Sequence, residues 1–144
     1  MTLIAGESKS KVVKDALEVF GDLEDVILVT SSFTFTEVAK VLIHGKKENP
    51  KAVAKKLNKI NRENCISGFN FEIVPTSPDS AYTFEDFWVS VSENMNLYNP
   101  GWADAVHCVI MKNNSIKEIL SMDGKDDFEI VSGITLIHPK DVKL

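Results

Sequence analysis

The pattern of apolar and polar residues in the first third of the chain predicts a helix, a strand and a second helix. Apolar residues recur every three or four positions after Ser10, and Gly21 ends this predicted helix. The run Val-Ile-Leu-Val at 26–29 is uninterrupted, which is typical of a parallel strand covered on both faces. Thr34 and Glu37 then form a capping-box pattern, which predicts the first turn of the next helix.

Proline marks the boundaries of elements in the middle of the chain. Asn49 before Pro50 predicts an N-cap and the first residue of a helix. The apolar stretch 69–74 predicts a strand, which Pro75 ends. The sequence Ser-Pro-Asp at 77–79 repeats the signal of a cap residue followed by proline, so we expect another helix to begin there.

The last third of the chain continues this alternation. Asn99 and Pro100 predict a further helix start, and the apolar runs 116–122 and 134–137 predict strands. Strands that alternate with helices predict an α/β fold with a mainly parallel sheet and helices on both faces. The chain has 144 residues and neither an internal repeat nor a long linker, so we expect a single domain over 1–144.

Charge is distributed unevenly along the chain. The formal net charge is −5, but the segment 40–62 has eight basic residues and one acid, a local balance of +7. The segment 63–111 has seven acids and no Lys or Arg. This asymmetry indicates a polyanionic partner together with a bound cation. The basic residues predicted to face the polyanion are Lys46, Lys47, Lys51, Lys55, Lys59 and Arg62.

Other sequence features exclude several classes of protein. No apolar run reaches the roughly 18 residues of a membrane span, and the N-terminal sequence lacks the features of a secretory signal. We therefore expect a cytoplasmic protein with no membrane partner. Cys65 and Cys108 lie 43 positions apart, without a CxxC or Cys/His cluster, so neither a zinc site nor a disulfide framework is predicted. Both are expected to pack as small apolar residues.

Three acids are predicted to lie at the carboxyl edge of the sheet. Asp123 follows the predicted strand 116–122, whereas Glu37 and Asp104 are each expected in the first turn of a helix. Sites in α/β proteins form at this edge. Several carboxylates that hold Mg²⁺ or Mn²⁺ with open positions suit phosphodiester hydrolysis, because the ion stabilises phosphate charge and activates water.

Each of these residues also has a purely structural interpretation. Glu37 fits a capping box, and Asp104 fits the preference of a helix N-terminus for acids. Asp123 before a glycine fits a turn, and Asp126 fits a solvated loop charge. His107, three residues after Asp104, shares its predicted helix face and is either a metal ligand or an ordinary helix residue.

Four segments of the chain resemble one known family. They are 29–38 (VTSSFTFTEV), 104–111 (DAVHCVIM), 119–128 (ILSMDGKDDF) and 133–139 (GITLIHP). The segment 29–38 is similar to the strand-to-helix segment of that family, which carries an acid. The segment 104–111 is similar to an acid that starts a helix, 119–128 to a strand that ends in Asp, and 133–139 to a closing strand that ends near Pro. This set resembles the PIN domain, the ribonuclease fold of VapC-type toxins and related RNA-processing nucleases.

The resemblance implies a three-layer α/β/α sandwich with a mainly parallel central sheet. It also implies a Mg²⁺- or Mn²⁺-dependent endoribonuclease in which Glu37, Asp104 and Asp123 are catalytic and hold the metal, with either Asp126 or Asp127 as a fourth ligand. RNA is then the polyanion, and its phosphates contact the basic residues of 40–62.

The sequence departs from the PIN pattern at the family's first acid, which ends a central first strand. Residues 3–5, Leu-Ile-Ala, match the positions that follow this acid. Three explanations stay open: a chain that starts late, a central strand supplied by other means, or a degenerate PIN-like protein without full metal binding. Fewer carboxylates weaken a site for hard cations.

The alternative function is a catalytically impaired PIN-like module that binds RNA or a protein in a toxin–antitoxin or RNA-processing assembly. Its protein partner is then an antitoxin or a second copy of this chain, in a homodimer. In such an assembly the apolar stripe of Phe84, Trp88 and Met95 lies partly at an interface, whereas otherwise it belongs to the core.

Overall fold

A computed structural model describes residues 10–98, 101–122 and 133–143 of the chain. Of these residues, 57% are helical and 13% are in strands, which confirms the mixed class of helix and strand. The chain divides into two compact units. The N-terminal unit comprises Met1–Ile73 with Val142–Leu144, and the C-terminal unit comprises Val74–Asp141.

The described part of the N-terminal unit contains three α-helices and the first strands. In chain order its elements are α1 (Ser10–Gly21), β1 (Val29–Ser31), α2 (Ser32–Lys40), a π-helical turn (Val41–Gly45), α3 (Pro50–Glu63), β2 (Cys65–Ile66), β3 (Phe69–Asn70) and β4 (Glu72–Val74), whose last residue begins the other unit. β1 pairs with β4, and β2 pairs antiparallel with β3. Ser67 and Gly68 connect β2 to β3 with φ of 51° and 86°, the left-handed conformations of a tight hairpin turn.

The first helix is confirmed, but the strand predicted after it is displaced. β1 begins at Val29, and the preceding Ile27 is 67% exposed rather than covered on both faces. The reason lies in the end of α1, where the amide of Leu23 bonds to the carbonyl of Phe20 and the amide of Val26 bonds to that of Leu23. These turns hold the first two residues of the apolar run, Val26 and Ile27, outside the sheet.

The second helix begins before the predicted capping box. Ser31 is the N-cap of α2, with the extended backbone of β1 (φ −120°, ψ 161°), so Thr34 is the third helical residue and Glu37 the sixth. The capping-box interpretation of Glu37 is therefore wrong, as is its expected place in the first turn. Val38 and Leu42 of this region are fully buried, and each such side chain contributes about 1.5–3 kcal/mol to folding.

The predicted start of α3 is confirmed. The Asn49 side chain accepts hydrogen bonds from the amides of Lys51 (2.9 Å) and Ala52 (3.3 Å), which satisfies two otherwise unpaired donors. Val53 is buried against Val38 and Leu42, so one face of α3 is attached to α2 and the turn that follows it.

The described part of the C-terminal unit contains a helix pair and a short parallel sheet. Its elements are α4 (Phe84–Tyr98), α5 (Trp102–Asn113), β5 (Glu118–Leu120), β6 (Thr135–Ile137) and a 3₁₀ turn (Pro139–Asp141). β5 and β6 are parallel, with Ile119 opposite Leu136. The fully buried Cys108 of α5 packs against both of these residues and against Ile134, so α5 covers one face of the sheet.

The helix predicted to begin at 77–79 starts several residues later. The amide of Asp79 donates to the Ser77 hydroxyl, and Asp79 in turn accepts from the amide of Ala81, so this stretch forms turns. Thr83 caps α4 instead: its hydroxyl accepts from the amide of Asp86 at 3.1 Å, and its own amide donates to the Asp86 carboxylate at 2.8 Å. The Thr83 amide, and also the Thr83 hydroxyl, donate to the Asp86 carboxylate, and these two bonds lower the pKa of Asp86.

The next predicted helix start lies partly outside the described residues. Asn99 and Pro100 belong to the part of the chain that the structure does not describe, and α5 begins at Trp102 with Gly101 as its N-cap. The inward positions of this helix are confirmed, because Val106, Val109 and Ile110 are all buried.

Candidate functional site

The predicted acid Asp104 is the third residue of α5 and half-buried. Its position in the first helical turn is confirmed, and the dipole of the helix favours a carboxylate there. Its Oδ2 atom lies 3.6 Å from the position that a Cβ would take on Gly101, so the carboxylate lies back over the N-cap. His107 is also half-buried and lies three residues further along the same helix.

Glu37 is placed differently from its prediction, in the middle of α2. It is partly exposed and belongs to the N-terminal unit, whereas Asp104 belongs to the C-terminal unit. The third predicted ligand, Asp123, lies outside the described residues, as does Asp126. The convergence of the three carboxylates therefore stays a prediction.

The end of β5 has the geometry expected for a site at a carboxyl edge. Beyond the β5–β6 ladder, the amide of Ser121 donates to the carbonyl of Ile137 at 3.1 Å, so the parallel pairing extends to this residue. Asp123 follows Ser121 by two positions in the sequence. Within residues 10–98, 101–122 and 133–143, no group of three or more His, Cys, Asp or Glu side chains is arranged to hold a metal ion.

The predicted basic residues are all exposed on the N-terminal unit. Lys46 and Lys47 precede α3, and the remaining predicted RNA-binding residues lie on it. At about 100° per residue, four of them occupy a sector of about 80° on the side of α3 opposite Val53. We call this set the basic face; it consists of Lys51, Lys55, Lys59 and Arg62. No ion pair joins any of these four to another described residue.

Both cysteines are free thiols. Cys108 is completely buried, and burial raises the pKa of its thiol to about 11, with the nearby Asp104 carboxylate adding to the effect and Lys112 opposing it. A neutral, buried thiol packs as a small apolar side chain, which confirms the prediction for Cys108.

The apolar stripe of α4 is exposed rather than part of the core. Phe84, Trp88 and Met95 are 77%, 40% and 39% exposed, so the interpretation as ordinary core is wrong for these three. The buried side of α4 instead carries Phe87 and Val91. Apolar residues occupy two neighbouring sides of this helix, and periodicity alone does not distinguish which side is covered.

Sequence reasoning also missed two recesses, one in each unit. In the N-terminal unit a cleft of about 400 Å³ is lined mainly by apolar residues, including Phe20, Leu28 and Phe69. In the C-terminal unit a cavity of about 140 Å³ is lined by residues of α4 and α5, including Asn94. Asn94 is buried, and its Oδ1 atom has no hydrogen-bond partner among the described residues. A single polar residue within an apolar periodicity is the sequence signal that marks this position.

Neither the described helices nor the comparisons with known proteins assign the chain to a class. Among the helices that the structure describes, none is long and apolar enough to cross a membrane. Comparisons of the chain with protein-family models, with curated proteins and with solved structures found no match.

Proposed function

We propose that this chain is a PIN-like, Mg²⁺- or Mn²⁺-dependent endoribonuclease of the VapC type, with the three-layer α/β/α sandwich of that family. The observation that supports the proposal most directly is the parallel pairing of β5 and β6 under α5. Sites form at the carboxyl edge of parallel strands, and Asp123 follows β5 in the sequence. Asp104 supplies a second carboxylate, at the start of the helix that covers this sheet.

The donor set fits the proposed ion. Glu37, Asp104 and Asp123 would hold it, with Asp126 as a further ligand, because hard divalent cations prefer carboxylate oxygens. When bound, the ion supplies Lewis-acid stabilisation of a phosphate oxygen and lowers the pKa of a bound water. The half-buried position of Asp104 limits the water around its carboxylate, which strengthens its attraction for a cation. In the proposed complex the basic residues of 46–62 hold the RNA backbone.

Cleavage of labelled RNA tests this proposal. The purified chain is expected to cleave RNA in Mn²⁺ and to stop when EDTA is added. Asp104→Asn keeps the size of the side chain but removes its charge, so we expect a loss of at least about 100-fold in rate. The matched control is Asp22→Asn, an exposed acid of the N-terminal unit, which is expected to cleave at the wild-type rate. Absence of cleavage by the wild type, or equal rates for Asp104→Asn and wild type, would contradict the proposal.

The second candidate is a catalytically impaired PIN-like module that binds RNA or a protein in a toxin–antitoxin or RNA-processing assembly. The observation in its favour is the exposed apolar side of α4, where Phe84 and Trp88 contact each other edge-to-face with centroids 5.9 Å apart. Exposed aromatic clusters are typical of protein interfaces. An antitoxin or a second copy of the chain would cover this side.

Size-exclusion chromatography with light scattering tests the second candidate. If α4 forms a homodimer interface, the wild type elutes as a dimer and Trp88→Lys as a monomer, because a buried lysine is costly. Val89→Lys, on another exposed position of the same helix, is the control that should leave the dimer intact. A monomeric wild type from which no partner co-purifies would count against an assembly.

A further inference from the structure

The cavity of the C-terminal unit lies between one side of α4 and one side of α5. The residues that each helix contributes are spaced three or four positions apart, which places them on the same side of that helix. From α4 they are Ser90, Glu93, Asn94 and Leu97, and from α5 they are Val109, Lys112 and Asn113. The volume of about 140 Å³ is several times the roughly 30 Å³ that one water occupies in the liquid. The cavity therefore has room for a molecule of about five non-hydrogen atoms.

Asn94 provides a hydrogen-bond acceptor in this cavity that the described residues leave unused. It lies on the buried side of α4 with Phe87 and Val91, at a spacing typical of apolar residues. The residue is 6% exposed, and its Oδ1 atom accepts no hydrogen bond from any described residue. An unpaired buried carbonyl oxygen costs folding free energy, which a donor bound in the cavity would restore. The occupant must therefore supply a hydrogen-bond donor.

Two further side chains in the lining offer acceptor oxygens. The Asn113 Nδ2 atom donates to the carbonyl of Thr76 at 2.9 Å, which fixes the orientation of this amide, and its oxygen is an acceptor. Glu93 adds a carboxylate, which only accepts hydrogen bonds when it is ionised. A primary ammonium group matches this set, because it has three N–H donors and a positive charge.

Lys112 adds a positive charge to the same lining. Both Glu93 and Lys112 are exposed, and neither forms an ion pair with another described residue. A metal cation or a simple anion in the cavity would be repelled by one of these two charges. A ligand that carries both an ammonium and a carboxylate group would instead be attracted by both residues. The lining is therefore complementary to a small zwitterion.

We propose that the cavity between α4 and α5 binds a small zwitterion of the α-amino acid class, about the size of glycine. The ammonium group of the ligand donates to Oδ1 of Asn94 and pairs with Glu93, and the ligand carboxylate pairs with Lys112. The cavity shares no residue with the candidate metal ligands or with the basic face. This proposal therefore does not depend on the nuclease proposal, and either one could fail alone.

Titration of glycine into the ¹⁵N-labelled full chain, followed by ¹H–¹⁵N NMR at constant ionic strength, tests the proposal. So small a ligand is expected to bind with a Kd on the order of 1 mM, so the titration extends to about 50 mM. We expect saturable shifts of the side-chain amides of Asn94 and Asn113. Methylammonium and acetate each carry one of the two charged groups, and each is expected to bind at least about 10-fold more weakly than glycine.

Two variants test the residues that would hold the ammonium group. Asn94→Leu removes the unpaired acceptor with little change in size, and Glu93→Gln removes the negative charge. Each is expected to weaken glycine binding by at least about 10-fold, measured from the Asn113 side-chain amide. Glu93 is exposed, so its substitution leaves the core intact even if Asn94→Leu alters the packing of α4. Glu85→Gln is the matched control, because Glu85 is an exposed acid of α4 outside the cavity lining, and it should bind glycine as the wild type does.

Three outcomes would overturn the proposal. Shifts that are absent or do not saturate would mean that the cavity holds only water. Binding of acetate or methylammonium as tight as that of glycine would mean that a single charge is recognised rather than a zwitterion. Unchanged glycine binding by Glu93→Gln would mean that the ligand lies elsewhere on the chain.

Discussion

Asp104 and Cys108 lie one helical turn apart on α5, yet their environments differ sharply. Asp104 is half-buried in the first turn, where a carboxylate is favoured by the helix dipole. Cys108 faces the β5–β6 sheet and is completely buried. Burial, and secondarily the charge of Asp104, favour the neutral thiol, so its pKa rises to about 11. The same helix thus presents a charged candidate ligand and an inert thiol.

The raised pKa predicts that Cys108 resists alkylation in the folded protein. Only the thiolate reacts with iodoacetamide, and below pH 11 the neutral form of this thiol predominates. At pH 8 we expect Cys65, which is half-exposed, to be modified and Cys108 to stay unmodified, as measured by peptide mass spectrometry. In urea both should react at similar rates, because the burial is lost. Equal modification of the two in the native state would show that α5 does not hold Cys108 against the sheet.

The helices differ in how well the sequence predicts where they begin. Asn49 and Pro50 are the only strong start signal before α3, and the cap forms as predicted, which contributes about 1 kcal/mol. Before α4, by contrast, residues 77–83 contain three Ser or Thr side chains besides Asp79, and each is a competent cap. The helix uses Thr83, whereas Ser77 and Asp79 close turns. Local sequence therefore predicts the existence of α4 but not its first residue.

The strand boundaries depended on contacts that are distant in sequence. The run 26–29 has the composition of a buried strand, but pairing begins where the carbonyl of Leu28 accepts from the amide of Glu72. The parallel pairing of β5 and β6 agrees with the mainly parallel sheet predicted for the chain from its alternation of strands and helices, but the sequence predicts no helix between these two strands. The same limit applies to the candidate metal site. Periodicity correctly predicts that Asp104 starts a helix, whereas the convergence of Glu37, Asp104 and Asp123 depends on tertiary structure and stays a prediction.

For the whole molecule, the distribution of charge is more informative than the total. A pI of about 5.2 alone favours a chain that avoids polyanions at neutral pH. The exposed basic residues of 46–62 nevertheless concentrate positive charge on the N-terminal unit. At physiological salt, charges more than about 8 Å apart are largely screened, so a polyanion responds to the nearest charges rather than to the sum.

Because the nearest charges govern the binding of a polyanion, we expect the chain to bind heparin at pH 7.5 and about 0.15 M salt, despite a formal net charge of −5. Two quadruple Lys/Arg→Gln variants separate local from total charge, since each lowers the net charge to −9. Substitution of the basic face should abolish retention on a heparin column. Substitution of four exposed lysines elsewhere, Lys14, Lys117, Lys140 and Lys143, should leave retention close to wild type. Equal losses in the two variants would mean that total charge governs binding and that α3 has no special part in it.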